Sequence, residues 1–148
     1  MTSEKKKIIH IHHGKENHKT IMTAGSHELT ADEPVPAGGT NKGPDPYDYL
    51  LMSLGSCSAI TIKMYADRKN WPVEDIYIEL RHHKSHAEDC AECEKPNARI
   101  DHIEKEIILV GDLSAEQVQK LLDISAKCPV HKTLSQKLEI TSLVEKRG

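Results

Sequence analysis

The sequence predicts an α+β fold, with helices packed on antiparallel strands. Three observations predict it. Residues 43–71, GPDPYDYLLMSLGSCSAITIKMYADRKNW, carry apolar side chains stepping by three and four, the period of one long, mostly buried helix. Residues 74–83 and 100–110 alternate apolar and polar, the period of half-buried strands. The segments run strands, long helix, two strands, helix, strand, an order that puts helices on an antiparallel sheet rather than between parallel strands.

Each element has its own local reason. Residues 8–12 and 19–24 read as strands with a turn over 14–17, and Gly25-Ser26 turns into a third strand over 27–31, an antiparallel meander. Residues 32–46 are rich in Pro and Gly and form a loop leading into the long helix; loops of this length in a compact domain are often functional. Asp45 before Pro46 suits an N-cap carboxylate with proline at the first helical position. The expected inward stripe is Leu50, Leu51, Leu54, Cys57, Thr61, Met64 and Tyr65, and Asn70 before Trp71-Pro72 ends the helix. Gly55, Ser56, Ser58 and Ala59 form a small-residue face that wants a partner, which a homodimer would supply.

In the first strong strand Ile76, Ile78 and Leu80 share a face; in the second, Ile103, Ile107 and Leu109 do. Gly111-Asp112 turns, and Ser114 with Gln117 makes a capping box for a helix whose inward stripe is Val118, Leu121, Leu122, Ser125 and Cys128. Pro129 breaks that helix and opens a short one with Cys128 at its N-cap, and residues 137–144 read as a final strand. One domain spanning 1–148 is expected, with no internal repeat.

Composition excludes several classes. Across 148 residues the formal net charge is −3, which offers no basic field for nucleic acid. No apolar run approaches the ~18 residues a bilayer span needs, and the first residues lack the apolar centre of a signal peptide, so a cytoplasmic protein without membrane contact is expected. Phe is absent and His occurs ten times, so the core must be aliphatic. Four cysteines in such a compartment suit catalysis, redox chemistry or metal binding better than a disulfide frame.

Two of those cysteines lie on inward stripes. Cys57 reads either as a small core hydrophobe or as a nucleophile facing an internal pocket. Cys128 reads either as a helix-end filler or as a thiol whose pKa is lowered by the N–H groups of a helix start. A thiol that reduces peroxides must be a thiolate, be reachable, and have a second thiol to resolve its sulfenic acid. His12, His13, His18, His27 and His131 read as surface residues, of which His131, three residues past Cys128, is the one whose place in sequence would also allow it near such a pocket.

A second cluster lies in RHHKSHAEDCAECEKPNARIDH. His86, Cys90 and Cys93 have ligand-like spacing, with His82, His83 and His102 nearby in sequence. Two thiolates with imidazoles suit tetrahedral zinc, and a hairpin between the two strong strands would return His102 toward His82 as a further ligand. A labile Cys90–Cys93 disulfide and an exposed loop without ligand are the alternatives.

The segments GPDPYDYLLMSLGSC, ADRKNWP and CPVHKTL resemble the OsmC family, the osmotically inducible protein C and organic hydroperoxide resistance group, over residues 31–144. The likeness is greater to its OsmC-like branch. It implies an intertwined homodimer with antiparallel sheets wrapped around paired long central helices and with active sites at the dimer interface. It implies a peroxidatic Cys57 and a resolving Cys128, with no cofactor required. A small organic hydroperoxide would be reduced to its alcohol, the sulfenic acid would condense to a Cys57–Cys128 disulfide, and an external dithiol, such as a lipoyl protein, would reopen it. Two positions depart from the hydroperoxide-resistance branch, which holds its thiolate with an N-terminal arginine and a helix carboxylate. Here Arg68 is the first arginine, and Tyr47 stands at the glutamate position with Asp48 beside it. Asp48 precedes Cys57 by nine residues, roughly 900° around a continuous helix, so it reads as a helix-start charge or as a catalytic carboxylate acting across the dimer or through a distorted first turn. The alternative function is a non-catalytic metal- or ligand-binding protein on the same fold, with Cys57 and Cys128 as core residues.

Overall fold

The computed structural model describes residues 7–86 and 99–148. It forms two compact units, Met1–Leu50 and Leu51–Gly148, and the boundary falls inside the long helix α1 (Pro46–Arg68).

The first unit holds strands β1 (Ile9–His13), β2 (Thr20–Ala24) and β3 (His27–Ala31). They pair antiparallel in the order β1-β2-β3, the expected meander, each within a residue of its expected bounds. Gly25 turns the second hairpin with φ 60°, the first central position of a two-residue loop where glycine is favoured. The Pro- and Gly-rich loop is folded around one buried carboxylate. Asp32 accepts the Thr40 hydroxyl at 2.7 Å and the backbone N–H groups of Glu33 at 2.7 Å and Lys42 at 3.1 Å. The Thr40 hydroxyl, ahead of these N–H groups and against the effect of burial, holds the Asp32 carboxyl down at about 2. Gly39 is obligatory in that loop: a Cβ there would lie 1.9 Å from the Glu33 carbonyl oxygen.

Helix α1 starts as its sequence dictates. The Asp48 N–H donates to Asp45 Oδ1 at 2.8 Å and the Asp45 N–H donates to Asp48 Oδ2 at 3.0 Å, a reciprocal cap in which both partners are aspartates. Asn70, with φ 57°, ends the helix and lets the Trp71 N–H reach back to the Ala66 carbonyl at 2.8 Å.

In the second unit β4 (Val73–His86) and β5 (Arg99–Gly111) pair as an antiparallel ladder, longer at both ends than the alternation alone marks. Ile76, Ile78 and Leu80 with Ile103, Ile107 and Leu109 form its half-buried face, as expected. Helix α1 comes close to that face at Gly55, where a Cβ would stand 2.7 Å from Leu80 Cδ1. Helices α2 (Ala115–Ser125) and α3 (Pro129–Leu134) follow, α2 with the Ser114–Gln117 capping box and α3 with Cys128 as its N-cap. Ile62, Ala66, Val73 and Leu121 form the core, with Tyr65, Trp71, Ile76, Ile107, Leu109 and Leu113 packed around them.

Three expectations need correction. The buried line of α1 is Leu54, Ser58, Ile62 and Ala66, with Gly55; Cys57 is only half-buried, and Met64, expected inside, is 67 % exposed. The small residues that face the sheet do not score as apolar, whereas the apolar Met52, Ile60 and Met64 face outward. In α2 the buried line is Leu121, Ile124, Ser125 and then Cys128, while Val118 and Leu122 are exposed. Residues 137–144 form no strand, and Ile140, Leu143 and Val144 are exposed, because a strand exists only where a neighbour supplies its ladder bonds.

Gly111 ends β5 opposite Val73 with φ 149°, and a Cβ there would meet the Pro72 carbonyl oxygen at 2.1 Å. Neither the conformation nor the backbone oxygen can yield cheaply. Gly111→Ala should therefore cost about 2 kcal/mol or more, read as a lower urea midpoint. An unchanged midpoint would show that the turn rearranges freely.

Candidate active site

Two segments distant in sequence converge on one sulfur. Cys128 is fully buried at the start of α3, where Pro129 fixes the first helical residue and frees the sulfur to cap the turn. Its Sγ accepts the His131 N–H at 3.3 Å and lies 3.5 Å from Ser58 Oγ on α1. Cys57 is the residue before Ser58, so the two cysteines that sequence places on separate helices come from segments in contact.

The third contributor comes from β5. Lys105 Nζ donates to Ser58 Oγ at 2.8 Å, to the Ser125 carbonyl at 3.3 Å and to His131 Nδ1 at 3.3 Å. Accepting at Nδ1 leaves the proton of the neutral imidazole on Nε2. Lys105 is on the inward parity of β5, between Ile103 and Ile107, in a position that alternation reserves for an apolar side chain. That parity is the signal sequence reading missed, because lysine reads as surface by default.

The electrostatics follow from these contacts. Burial pushes the Cys128 thiol up, but the hydrogen bonds from Ser58, the His131 N–H and Cys57, with the nearby Lys105 charge, outweigh it and bring the thiol below its ordinary value. Burial lowers Lys105, and negative charge on Cys128 and Cys57 opposes that. Burial, then Lys105, also lowers His131, which stays neutral near neutral pH. A cavity of about 240 Å³ is lined by Leu54, Ile103 and Leu134 on its apolar side and by Lys105, His131 and Asp101 on its polar side. Chemically, the arrangement sets a thiol of lowered pKa beside a cation that also lines an amphipathic cavity.

The other expected site residues stand elsewhere. The Asp48 carboxylate is engaged in the cap of α1, which is the helix-start role. In the hairpin the register sets His83, not His82, opposite His102. His82 turns to the half-buried face and its Nε2 lies 2.8 Å from Asp101 Oδ1. His83 and His102 stack with ring centroids 4.9 Å apart, and their Nε2 atoms lie 3.6 and 3.9 Å from Glu104 Oε1. These three exposed side chains, with donor atoms within 4.8 Å of one another, are of types that take a transition ion, on the sheet face opposite Lys105. Cys90 and Cys93 lie outside the described residues, as does the side chain of His86.

The model of a family described as "OsmC-like protein" matches residues 39–142. No curated protein sequence matches the chain. Among solved structures, an OsmC-like protein from Mycoplasma pneumoniae superposes with a TM-score of 0.70 at 19 % identity, covering 90 % of this chain and 89 % of that one. A Legionella pneumophila protein described as an organic hydroperoxide resistance protein OsmC and predicted redox protein gives 0.64 at 18 % identity, covering 90 % and 91 %. The organic hydroperoxide resistance protein OhrB of Bacillus subtilis gives 0.59 at 18 % identity, covering 88 % and 90 %. At these identities the structural likeness establishes the α+β fold.

Proposed function

This chain belongs to the OsmC-like protein family, and from that premise we propose that it is a cysteine-based thiol peroxidase reducing small organic hydroperoxides to alcohols. The observation that carries the reading is that Ser58, the residue next to Cys57, has its Oγ 3.5 Å from Cys128 Sγ and 2.8 Å from Lys105 Nζ. Cys57, the more exposed of the two thiols, gives up its proton and its sulfur attacks the terminal peroxide oxygen. The O–O bond breaks, the alcohol leaves carrying the proton, and Cys57 becomes a sulfenic acid. Cys128 then attacks that sulfur, water leaves, and a Cys57–Cys128 disulfide forms. An external dithiol, such as a lipoyl group, reopens it by exchange. The apolar wall of Leu54, Ile103 and Leu134 suits the organic part of the substrate.

Two features support a homodimer. Met52, Ile60 and Met64 are exposed apolar side chains on α1, and the segment over residues 137–148, in neither helix nor strand, carries exposed Ile140, Leu143 and Val144. Among the described residues no helix is long and apolar enough to cross a membrane. A dithiol that must be reduced in every cycle suits the cytoplasm.

The test is turnover. Purified full-length protein should consume cumene hydroperoxide continuously with dihydrolipoamide as reductant. Folded protein that consumes none with any small dithiol contradicts the reading. The rival, a non-catalytic metal-binding protein, draws on the His83, His102 and Glu104 group; it expects zinc retained through dialysis and hydroperoxide untouched.

A further inference from the structure

The thiol site has no arginine among its described partners, yet it holds a cation. We propose that Lys105 is the positioning residue of this centre, a positive charge that three acceptors from α1, α2 and α3 clamp beside Cys128, where it favours a thiolate over a thiol. The inference rests on the peroxidase reading for its use in catalysis, but its electrostatic content stands without it.

The geometry makes the charge local and fixed. Ser58 Oγ, the Ser125 carbonyl and His131 Nδ1 accept from Nζ at 2.8, 3.3 and 3.3 Å, and the stem of Lys105 lies among the half-buried side chains of the sheet. Ser58 is shared: its oxygen takes the ammonium on one side and faces Cys128 Sγ at 3.5 Å on the other. With its oxygen engaged by Nζ, its own proton is free to point at the sulfur. The lysine thus aims a hydroxyl donor as well as supplying charge. Helix α3 adds the His131 N–H from the opposite side.

Every other titratable group recorded at the centre leaves this role to Lys105. His131 on α3 is neutral and serves as an acceptor. Asp101, on the same strand and lining the same cavity, is engaged by His82 of β4 at 2.8 Å. Cys57 of α1 is the remaining group, and with Cys128 it raises Lys105 against the effect of burial.

Alkylation with iodoacetamide across pH, resolved by mass spectrometry at Cys57 and Cys128 of the full chain, tests the proposal. In Lys105→Met the profile should move to higher pH, because removing a cation disfavours the thiolate, and alkylation of Cys57 near neutral pH should fall about tenfold or more. Lys105→Arg, which keeps the charge, should restore most of that rate. Ser58→Ala, which removes the oxygen between the cation and the sulfur, should move the profile in the same direction by less. A Lys105→Met profile superimposed on that of the parent protein overturns the proposal, as does equal loss in Lys105→Arg and Lys105→Met, which would mark a packing role. If Lys105→Met does not fold, an unmoved Ser58→Ala profile overturns it alone. The two readings fail separately: an unmoved profile in an active peroxidase removes Lys105, whereas a moved profile in an inactive protein supports Lys105 and removes the peroxidase.

Discussion

Cys57→Ser is expected to reduce hydroperoxide consumption to the rate of protein-free buffer, a loss of at least about a thousandfold, or roughly 4 kcal/mol of barrier. The size follows from the chemistry. A serine hydroxyl is not ionised near neutral pH and does not displace alkoxide from a peroxide oxygen, so no partial activity survives through the neighbouring groups. Cys128 cannot substitute, since it is fully buried and faces Ser58 and the His131 N–H. Cys128→Ser should behave differently: it should consume about one equivalent and stop, because the Cys57 sulfenic acid forms but finds no internal thiol. Dimedone labelling at Cys57 in that variant separates the two roles. Continued steady turnover by Cys57→Ser would place the attacking sulfur elsewhere.

The second large effect concerns the scaffold. Leu121→Ala should destabilise the protein by about 2–5 kcal/mol, the range for truncating a fully packed leucine. Leu121 is 0 % exposed and packs with Ile62, Ala66 and Val73, three residues from α1 and β4 that cannot all relax into the same void. Its neighbour Leu122 is 50 % exposed on the same helix. Leu122→Ala is thus a matched control with the same chemistry and helix propensity, expected to cost under about 1 kcal/mol. Comparison of the two urea midpoints reads the packing directly. Equal losses at both positions would mean that the assignment of the inner face of α2 is wrong.

What the sequence disclosed and what it withheld divide along physical lines. Local chemistry was legible. Asp45 before Pro46, Ser114 with Gln117, and Cys128 before Pro129 each specify a helix start through groups a few residues apart, and each start formed as read. Period-two alternation likewise fixed the faces of β4 and β5. Non-local choices were not legible. The rotation of α1 was misjudged because its sheet-facing line includes Gly55 and Ser58, chosen for close approach, while Met52, Ile60 and Met64 lie on an exposed face. Register across β4 and β5 put His83 rather than His82 opposite His102, and alternation does not set which residue stands opposite which. The alternation over 137–144 is visible, but no strand among the described residues pairs with it. Within the candidate site the cysteines could be named from their helices and from family resemblance. Lys105 could not, since its partners Ser58, Ser125 and His131 come from three other elements of the chain.

The account stands on two thiols from distant segments forming one redox pair. The most direct test is to treat the reduced full-length protein with one equivalent of t-butyl hydroperoxide and map the cysteines by mass spectrometry without reduction. The account predicts loss of two hydrogens, with Cys57 and Cys128 recovered in a single cross-linked peptide pair. Both cysteines recovered as free thiols, with oxidation confined to Cys90 and Cys93, would contradict it.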